Sequence, residues 1–283
     1  KAPTGTGKTQ KVGKPFAEWC QSKNYTLVSV AHLRSLISEL SSRLNTSHYE
    51  DEKETYKQAR KAGIETQGFI DSLSVCLPSL LSDAYSKFMS NVRYVFIDEI
   101  TQVLNVFASE KVFSSTDVEQ VFLFFKDLIA KAECLIVADA NINQQTFDFI
   151  ESCRPNERFN IVEIKPKNEH KKAWLYESDK ELTSKILNDV IALNKKVWIT
   201  CDSPKQGRLL YELFSSREIK ARLILGQDHK IKGSVEFLKD VSNESLNYQV
   251  VIASPAISSG VSVEHEIPYF DYVAGFFCGT SVR

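Results

Sequence analysis

The sequence lacks several features that define large classes of proteins. No apolar run approaches the roughly 18 residues that a membrane-spanning helix needs, and residues 1–5 contain no apolar segment of the signal-peptide type. The six cysteines form no C-x-x-C pair and no Cys/His cluster with zinc spacing. We therefore expect no membrane partner, and we interpret the cysteines as buried free thiols of an intracellular protein in a reducing compartment.

The chain also lacks an excess of basic charge. Its 35 basic and 36 acidic residues give a net charge of −1, which excludes a protein that coats duplex DNA through overall charge. A nucleic-acid partner would have to bind in a local groove. With 43% hydrophobic and 25% charged residues, the 283-residue chain has the composition of a folded protein of two domains or one large unit.

Short apolar, β-branched runs alternate along the chain with longer helical stretches. The predicted strands are residues 26–31, 93–97, 134–138, 160–164, 173–176, 196–201, 221–225, 249–253 and 271–276. The predicted helices are residues 33–44, 118–132, 179–193 and 205–215, and the densely charged residues 48–61 are expected to form a solvated helix or loop. Strands without polar alternation suit burial on both faces, so the pattern predicts an α/β fold with mainly parallel sheets.

A polar, proline-containing segment at residues 165–172 separates two predicted strands. It is compatible with a basic surface loop inside one domain. Complete α/β patterns on both sides favour a linker instead. We therefore predict a first domain over residues 1–165, a linker over 166–172 and a second domain over 173–283.

A glycine-rich segment at residues 2–9 matches the phosphate-loop pattern G-x-x-x-x-G-K-[ST], except that Ala2 replaces the first glycine. Lys8 can reach the β- and γ-phosphates of a nucleotide, and the Thr9 hydroxyl can hold Mg²⁺. A glycine-rich turn without a ligand is the alternative. The residues expected to bind the nucleotide are Gly5, Thr6, Gly7, Lys8 and Thr9.

The helix that should follow this loop contains two helix-breaking residues. Gly13 and Pro15 fall in its second turn, and an interior proline costs about 3 kcal/mol. We predict a short first helical turn, followed by a kink or a restart near Lys14.

Two carboxylates end an apolar strand at residues 95–99. In phosphate-loop enzymes an aspartate at this place, here Asp98, holds Mg²⁺. A glutamate after it, here Glu99, can act as the general base toward water. Such a pair also occurs in surface turns. Because the carboxyl ends of parallel strands bind ligands, the position favours catalysis by Glu99, Asp98 and Lys8.

Four segments, in their order, resemble motifs I, II, III and V of superfamily 2 helicases: residues 2–9, 98–101, 138–140 and 254–262. More closely, the chain resembles the replication-origin-binding-protein helicases known from herpesviruses, through residues 32–36, 71–73, 138–141 and 270–277. The resemblance spans almost the whole chain. The order and spacing of the motifs together carry it.

This resemblance implies two RecA-like domains with ATP and Mg²⁺ in the cleft between them. The function implied is that of an ATP-dependent DNA helicase motor for replication, which moves on single-stranded or forked DNA with other replication proteins as candidate partners. Asp139 would couple hydrolysis to domain movement. Gly260 and Ser262 would approach the nucleotide. The residues implied at the nucleic-acid backbone are Arg34, Ser72, Thr200, Ser203, Lys205 and Ser254.

The sequence departs from the helicase pattern in several places. Thr101 replaces the histidine or aspartate that ends motif II, and no glutamine motif precedes the phosphate loop. The arginine-rich motif VI does not follow residues 270–277, and no strand precedes residue 2. We therefore expect a motor core trimmed at both ends that hydrolyses ATP weakly or not at all. The alternatives are a translocase without unwinding activity, a nucleotide-dependent binding module and a small-molecule kinase.

Overall fold

The computed structural model describes residues 1–2, 6–64, 69–108, 117–164, 172–225, 237, 240–254, 263, 265 and 267–277. The chain divides into two compact units, Lys1–Glu169 and His170–Arg283. Among the described residues, no helix combines the length and the apolar character needed to cross a membrane.

The first unit is built on a parallel sheet. Its strands are β1 (Leu27–Ala31), β2 (Ser47–His48), β3 (Ser72–Cys76), β4 (Tyr94–Asp98) and β5 (Cys134–Ala138). Its helices are α1 (Lys14–Ser22), α2 (Arg34–Leu44), α3 (Tyr49–Lys61), α4 (Ser86–Asn91), α5 (Ile100–Val106), α6 (Val118–Lys131) and α7 (Gln144–Cys153). The strand order is β2-β3-β1-β4-β5, and each pairing is parallel.

The second unit has its own parallel sheet and its own core. Its elements are α8 (Asp179–Ala192), β6 (Val197–Cys201), α9 (Pro204–Ser215), β7 (Ala221–Ile224), α10 (Val241–Ser245), β8 (Val250–Ala253) and β9 (Tyr272–Phe276). The strand order is β7-β8-β6-β9. One face of the sheet packs with α8 and α9, and the other packs with Phe237 and Val241. The predicted α/β class with mainly parallel sheets is therefore confirmed.

Two predicted strands are wrong, and two strands were missed. Residues 160–164 and 173–176 form no strand, although both runs are apolar. Their side chains are largely exposed, as Leu175 is at 98%, so they lack the burial that turns an apolar run into a sheet strand. The missed strands are β2, which has only two residues, and β3, whose serines interrupt the apolar pattern.

The helix after the phosphate loop is continuous but changes its winding. It begins as a π-helical turn, Thr9–Gly13, in which the N–H of Lys14 donates to the carbonyl of Thr9. It then becomes α1, with Pro15 near its start, where a missing N–H is tolerated. The predicted disturbance near Lys14 is therefore present as a change from π-helical to α-helical winding, without a break in the helix. The charged residues 48–61, expected as a helix or loop, are almost entirely in α3.

The cysteines that the structure describes are free thiols, and most of them are buried. Those that are buried are Cys20, Cys76, Cys153 and Cys201, whereas Cys134 is partly exposed. Burial raises the pKa of the Cys20 thiol to about 12, which keeps it protonated and inert at neutral pH. Cys278 lies outside the described residues.

Candidate functional site

The carboxyl ends of neighbouring strands bring the predicted acidic residues of the first unit together. Asp98 is the last residue of β4 and lies opposite Ala138, the last residue of β5, so Glu99 and Asp139 follow side by side. The Thr9 hydroxyl donates a hydrogen bond to Asp98 Oδ2 at 3.1 Å. Residues almost ninety positions apart in the chain thus meet at one edge of the sheet.

Lys8 points at the same edge. Its ammonium group lies 3.1 Å from Glu99 Oε1 and donates a hydrogen bond to the carbonyl of Ala2, also at 3.1 Å. The side chains of Lys8 and Glu99 are only 11% and 23% exposed. The ion pair is therefore shielded from water more than a surface pair would be.

The phosphate loop has the backbone that its glycines suggest. Gly7 has φ of +75°, a left-handed conformation that side chains rarely adopt, and its carbonyl accepts the N–H of Lys11. Thr6 adjoins it at the surface of the same loop. Gly5 lies outside the described residues, as do Gly260 and Ser262 from the second unit.

Glu99 has a strained backbone at the start of α5. Its φ of 53° and ψ of 54° lie in the left-handed region, which is uncommon for residues other than glycine. Its carbonyl accepts the N–H groups of Gln102 and Val103, so the helix that follows holds the strained residue in place. Such strain is often found at functional sites, and here it occurs at the predicted general base.

Asp139 ties two of the motifs together. Its side chain is buried, with Oδ2 accepting the backbone N–H of Thr101 at 2.7 Å and Oδ1 accepting that of Asn141 at 2.7 Å. The Thr101 hydroxyl lies 3.4 Å from both the Asn141 carbonyl and the Thr146 hydroxyl. Thr101, which the sequence marked only as a departure, therefore lies at the contact between the start of α5 and the turn after β5.

Burial controls the electrostatics of this edge. Burial raises the pKa of Asp98. The hydrogen bond from Thr9 and the positive charge of Lys8 lower it, but by less. Burial likewise raises the pKa of Glu99, and the contact with Lys8 opposes that shift. Both carboxylates are thus costly to ionise unless a cation is close to them.

His32 directly follows β1, and the negative charge of Asp139 acts on its imidazole. Burial lowers the pKa of His32, and the negative charge of Asp139 opposes the shift. The imidazole is therefore neutral at physiological pH. In the sequence, His32 belonged only to residues 32–36, one of the segments that carry the resemblance, and nothing in that segment pointed to its imidazole.

The residues present fit a magnesium ion. Asp98 Oδ1 is buried and has no hydrogen-bond partner in the described part of the chain, whereas Oδ2 already contacts the Thr9 hydroxyl. Hydroxyl and carboxylate oxygens are ligands that Mg²⁺ prefers, and it usually binds one or two carboxylates together with phosphates and water. No group of three or more acidic, cysteine or histidine side chains able to hold a metal occurs among the described residues. A bound Mg²⁺ would therefore need phosphate or water oxygens as further ligands.

The residues expected to contact nucleic acid in the first unit are not brought to this edge together. Arg34 begins α2, and its side chain lies outside the described part. Ser72 is the first residue of β3, is buried, and pairs with Leu27. It lies about 13 Å from the last residue of the strand, at the opposite end of β3 from the carboxyl edge.

In the second unit, the expected residues do share one edge of the sheet. Thr200 lies near the end of β6, opposite Ala253, and Ser254 directly follows β8. The Ser203 hydroxyl caps α9, and Lys205 is exposed in the first turn of that helix. Thr200 donates its hydroxyl hydrogen to the Ala274 carbonyl, and Ser254 is buried, so Lys205 is the most accessible of the four.

Solved structures of helicases share this fold over nearly the whole chain. The helicase MrfA bound to DNA gives a TM-score of 0.61 at 14% identity, covering 97% of this chain and 41% of its own. The Mycobacterium smegmatis helicase Lhr, bound to ssDNA and AMP-PNP, gives 0.56 at 13% identity, covering 97% and 39%. A structure of S. cerevisiae Dbp5 that contains ADP gives 0.54 at 13% identity, covering 98% and 79%.

These likenesses concern the fold. Both units share the fold of these helicases, which agrees with the fold that the resemblance implied. The chain spans about two fifths of the length of Lhr and MrfA.

The sequence itself was also compared with known proteins. No curated protein matches it. The family model described as origin of replication binding protein matches residues 1–171, which contain the phosphate loop, Asp98, Glu99 and Asp139. That match covers more than half of the chain, and it includes every residue described at the carboxyl edge of the first unit's sheet. The chain belongs to the origin of replication binding protein family.

Proposed function

We propose that this chain is the motor core of an ATP-dependent DNA helicase that acts in replication, an ATP hydrolase that couples turnover to movement on single-stranded DNA. The observation that carries the proposal is the convergence of two pairs, Thr9 with Asp98 and Lys8 with Glu99, at one sheet edge. Two further features distinguish this edge from an ion pair that serves only stability. Gly7 of the phosphate loop has a left-handed backbone beside Lys8, and the buried Oδ1 of Asp98 has no hydrogen-bond partner in the described part of the chain.

Nucleotide binding begins with the exchange of one partner of Lys8 for another. The triphosphate carries more negative charge than Glu99, so Lys8 leaves the carboxylate and contacts the β- and γ-phosphates. The backbone around Gly7 presents N–H groups to the phosphate oxygens. Thr9 and Asp98 would hold Mg²⁺, which neutralises charge on the phosphates when it is bound.

Departure of Lys8 frees Glu99 to act on water. The carboxylate loses its cation, and its environment already raises its pKa, so it becomes a better proton acceptor. It then accepts a proton from the water that attacks the γ-phosphate. The fixed backbone of Glu99 keeps the carboxylate in place for this step.

Asp139 supplies the coupling in this proposal. Because its carboxylate joins the start of α5 to the turn after β5, a shift at Glu99 would be passed to that turn. We propose that the first unit corresponds to a domain over residues 1–165 and the second to one over 173–283, with 166–172 as a linker. Residues 165–171 lie outside the described part.

DNA is the partner that the comparisons suggest. Lhr is bound to ssDNA and MrfA to DNA in their structures, and the name of the family refers to a replication origin. We propose that Arg34, Thr200, Ser203, Lys205 and Ser254 contact the strand and that Gly260 and Ser262 approach the nucleotide. The buried position of Ser72 makes a direct contact from that residue unfavourable. Other replication proteins are proposed as partners on the family name alone.

The proposal is tested by measuring ATP binding and hydrolysis with and without single-stranded DNA. We expect Mg²⁺–ATP binding that Lys8→Ala abolishes. Hydrolysis by this chain should be slow, as the sequence predicts, and it should rise with DNA and fall about 10²–10⁴-fold in Glu99→Gln. The matched control is Lys11→Ala, which removes an exposed positive charge from the same helical turn. Equal effects of the two lysine variants, or turnover indifferent to DNA, would overturn the proposal.

A strand-displacement assay on forked DNA separates the alternatives. Release of the displaced strand supports the helicase. DNA-stimulated hydrolysis without release would identify a translocase. Nucleotide-dependent DNA binding without hydrolysis would identify a binding module.

A further inference from the structure

The second unit carries a row of lysines and tyrosines along the edge of its sheet where the strands begin. We call this row the lysine–tyrosine ledge. Its members are Lys185, Lys195, Lys196, Lys220, Tyr248, Tyr269 and Tyr272. Lys196 precedes β6 and Lys220 precedes β7, so the ledge lies about 13–16 Å from the carboxyl edge that holds Thr200 and Ser254.

Each ledge lysine lies over a tyrosine ring. The ammonium group of Lys196 is 4.3 Å from the ring centre of Tyr269, and that of Lys220 is 5.9 Å from Tyr248. Both distances are within the range of a cation–π contact. The rings therefore limit the motion of side chains that would otherwise be free, so less conformational entropy is lost when an anion binds.

The tyrosines also connect the lysines into one surface. The Tyr269 hydroxyl donates to the carbonyls of Leu246 and Tyr248, which joins the Lys196 position to the Lys220 position. On the other side of Lys196, Lys185 and Lys195 lie 6.0 and 5.8 Å from the ring centre of Tyr272. The charges thus form a continuous row along the starts of the strands.

The row keeps an excess of positive charge. Asp189 is buried and pairs with Lys185 and Lys195, and Asp271 accepts the backbone N–H of Lys196. Four lysines against these two carboxylates leave a net charge of about +2. Within the part of the chain that the structure describes, Lys196 and Lys220 form no ion pair, so their charges are available to a partner.

We propose that the lysine–tyrosine ledge binds the phosphodiester backbone of nucleic acid, as a contact surface separate from the carboxyl edge of the same sheet. Lysine is a point charge that suits phosphate without reading bases, so the contact is independent of sequence. Since the whole chain has a net charge of −1, this local row would attract a strand that the overall charge does not. The inference rests on the proposed function only in that its partner is also nucleic acid.

The test compares two double variants of the full chain. Lys196→Ala with Lys220→Ala removes the two unpaired ledge charges, while Asp189 keeps both of its lysines. The matched control is Lys57→Ala with Lys61→Ala, which removes two exposed charges from α3 in the first unit. Equal melting temperatures would show that both variants are folded.

Binding is measured by fluorescence anisotropy without nucleotide, on labelled single-stranded and duplex oligonucleotides of random sequence, over a range of salt. We expect the ledge variant to lose about tenfold in affinity and its log–log salt slope to fall by about 2, since each lysine lost removes about one phosphate contact. Lys196→Arg with Lys220→Arg should bind as the unchanged protein does. The single-stranded and duplex arms identify which form uses the ledge.

Unchanged affinity and slope in the ledge variant would overturn the proposal. Binding of labelled polyglutamate is measured in the same way. If the ledge variant loses polyglutamate binding and keeps nucleic-acid binding, the proposal is overturned and the partner is an acidic polypeptide. The anisotropy assay contains no ATP, so its result does not depend on hydrolysis. A protein that fails to hydrolyse ATP would count against the proposed motor but not against the ledge.

Discussion

The ammonium group of Lys8 lies 3.1 Å from Glu99 Oε1, so the lysine expected to meet phosphate is paired with the carboxylate expected to activate water. The two groups neutralise each other. In the proposed function, a nucleotide would have to separate them before either could act, which would link binding of the nucleotide to release of the base.

The first prediction concerns Glu99→Gln. Loss of the carboxylate charge removes the competitor for Lys8, so we expect Mg²⁺–ATP to bind about two- to fivefold more tightly. Turnover should fall about 10²–10⁴-fold because the general base is lost. Isothermal titration calorimetry measures the first effect and phosphate release the second. The control, Glu119→Gln, changes an exposed glutamate in the first turn of α6 and should alter neither. Weaker binding by Glu99→Gln would contradict the competition.

The second prediction concerns the pH dependence of stability at Asp98. Burial raises its pKa, so between the ordinary and the raised value the folded protein binds more protons than the unfolded chain. The free energy of unfolding therefore falls as pH rises through that window. Asp98→Asn lacks this effect and should melt higher than the unchanged protein at about pH 7. The difference should shrink as pH falls toward the ordinary carboxyl pKa.

Thermal melting of both proteins across this pH range measures the effect. Asp148→Asn, which changes an exposed aspartate of α7, is the matched control for the loss of a carboxylate. A pH-independent difference for Asp98→Asn would show that its charge is not penalised in the fold.

The third prediction concerns Asp139→Ala. The substitution removes the buried acceptor of two partly buried hydrogen bonds, those from the backbone N–H groups of Thr101 and Asn141, and we expect a loss of about 1–3 kcal/mol in the free energy of unfolding. Thr101→Val keeps its backbone N–H and loses only two contacts of 3.4 Å, so it should cost less than about 1 kcal/mol. Urea denaturation compares them. Equal losses would mean that the carboxylate does not join the two segments.

The fourth prediction concerns Gly13→Ala. A Cβ at this position would lie 2.9 Å from Phe96 Cζ, too close for the ring to remain where it is. Overpacking costs about 1–3 kcal/mol, more than the roughly 1 kcal/mol that alanine gains in a helix. Gly13→Ala should therefore lower the free energy of unfolding.

A double-mutant cycle with Phe96→Leu provides the control for this crowding. The smaller side chain makes room for the Cβ, so the two substitutions together should cost less than the sum of their separate effects. Strict additivity in urea denaturation would contradict a direct clash between the two positions.

The sequence predicted most of the strands because their apolar, β-branched runs coincide with burial. The run at residues 134–138, for example, is β5 without any change of bounds. Strand β3 was missed because Ser74 looks unsuited to a core. In the structure its hydroxyl shares hydrogen bonds with those of Ser29 and Thr46, which removes the cost of burying it.

The site was predicted in its residues but not in its contacts. The positions of Lys8, Thr9, Asp98 and Glu99 followed from motif and strand end, and the structure brings the four together. The hydrogen bond between Asp139 and the Thr101 backbone could not be predicted, because no sequence pattern shows which N–H a buried carboxylate will accept. The roles of these residues stay predictions.

The π-helical turn at Thr9–Gly13 fixes the length of the chain between the phosphate loop and α1. Such a turn closes its hydrogen bond over one residue more than an α-helical turn does. Deletion of one residue here would restore regular winding and leave Thr9 on the side of the helix that faces Asp98, whereas an inserted residue would rotate Thr9 by about 100° relative to the buried face of α1. This segment should therefore accept a one-residue deletion more readily than a one-residue insertion.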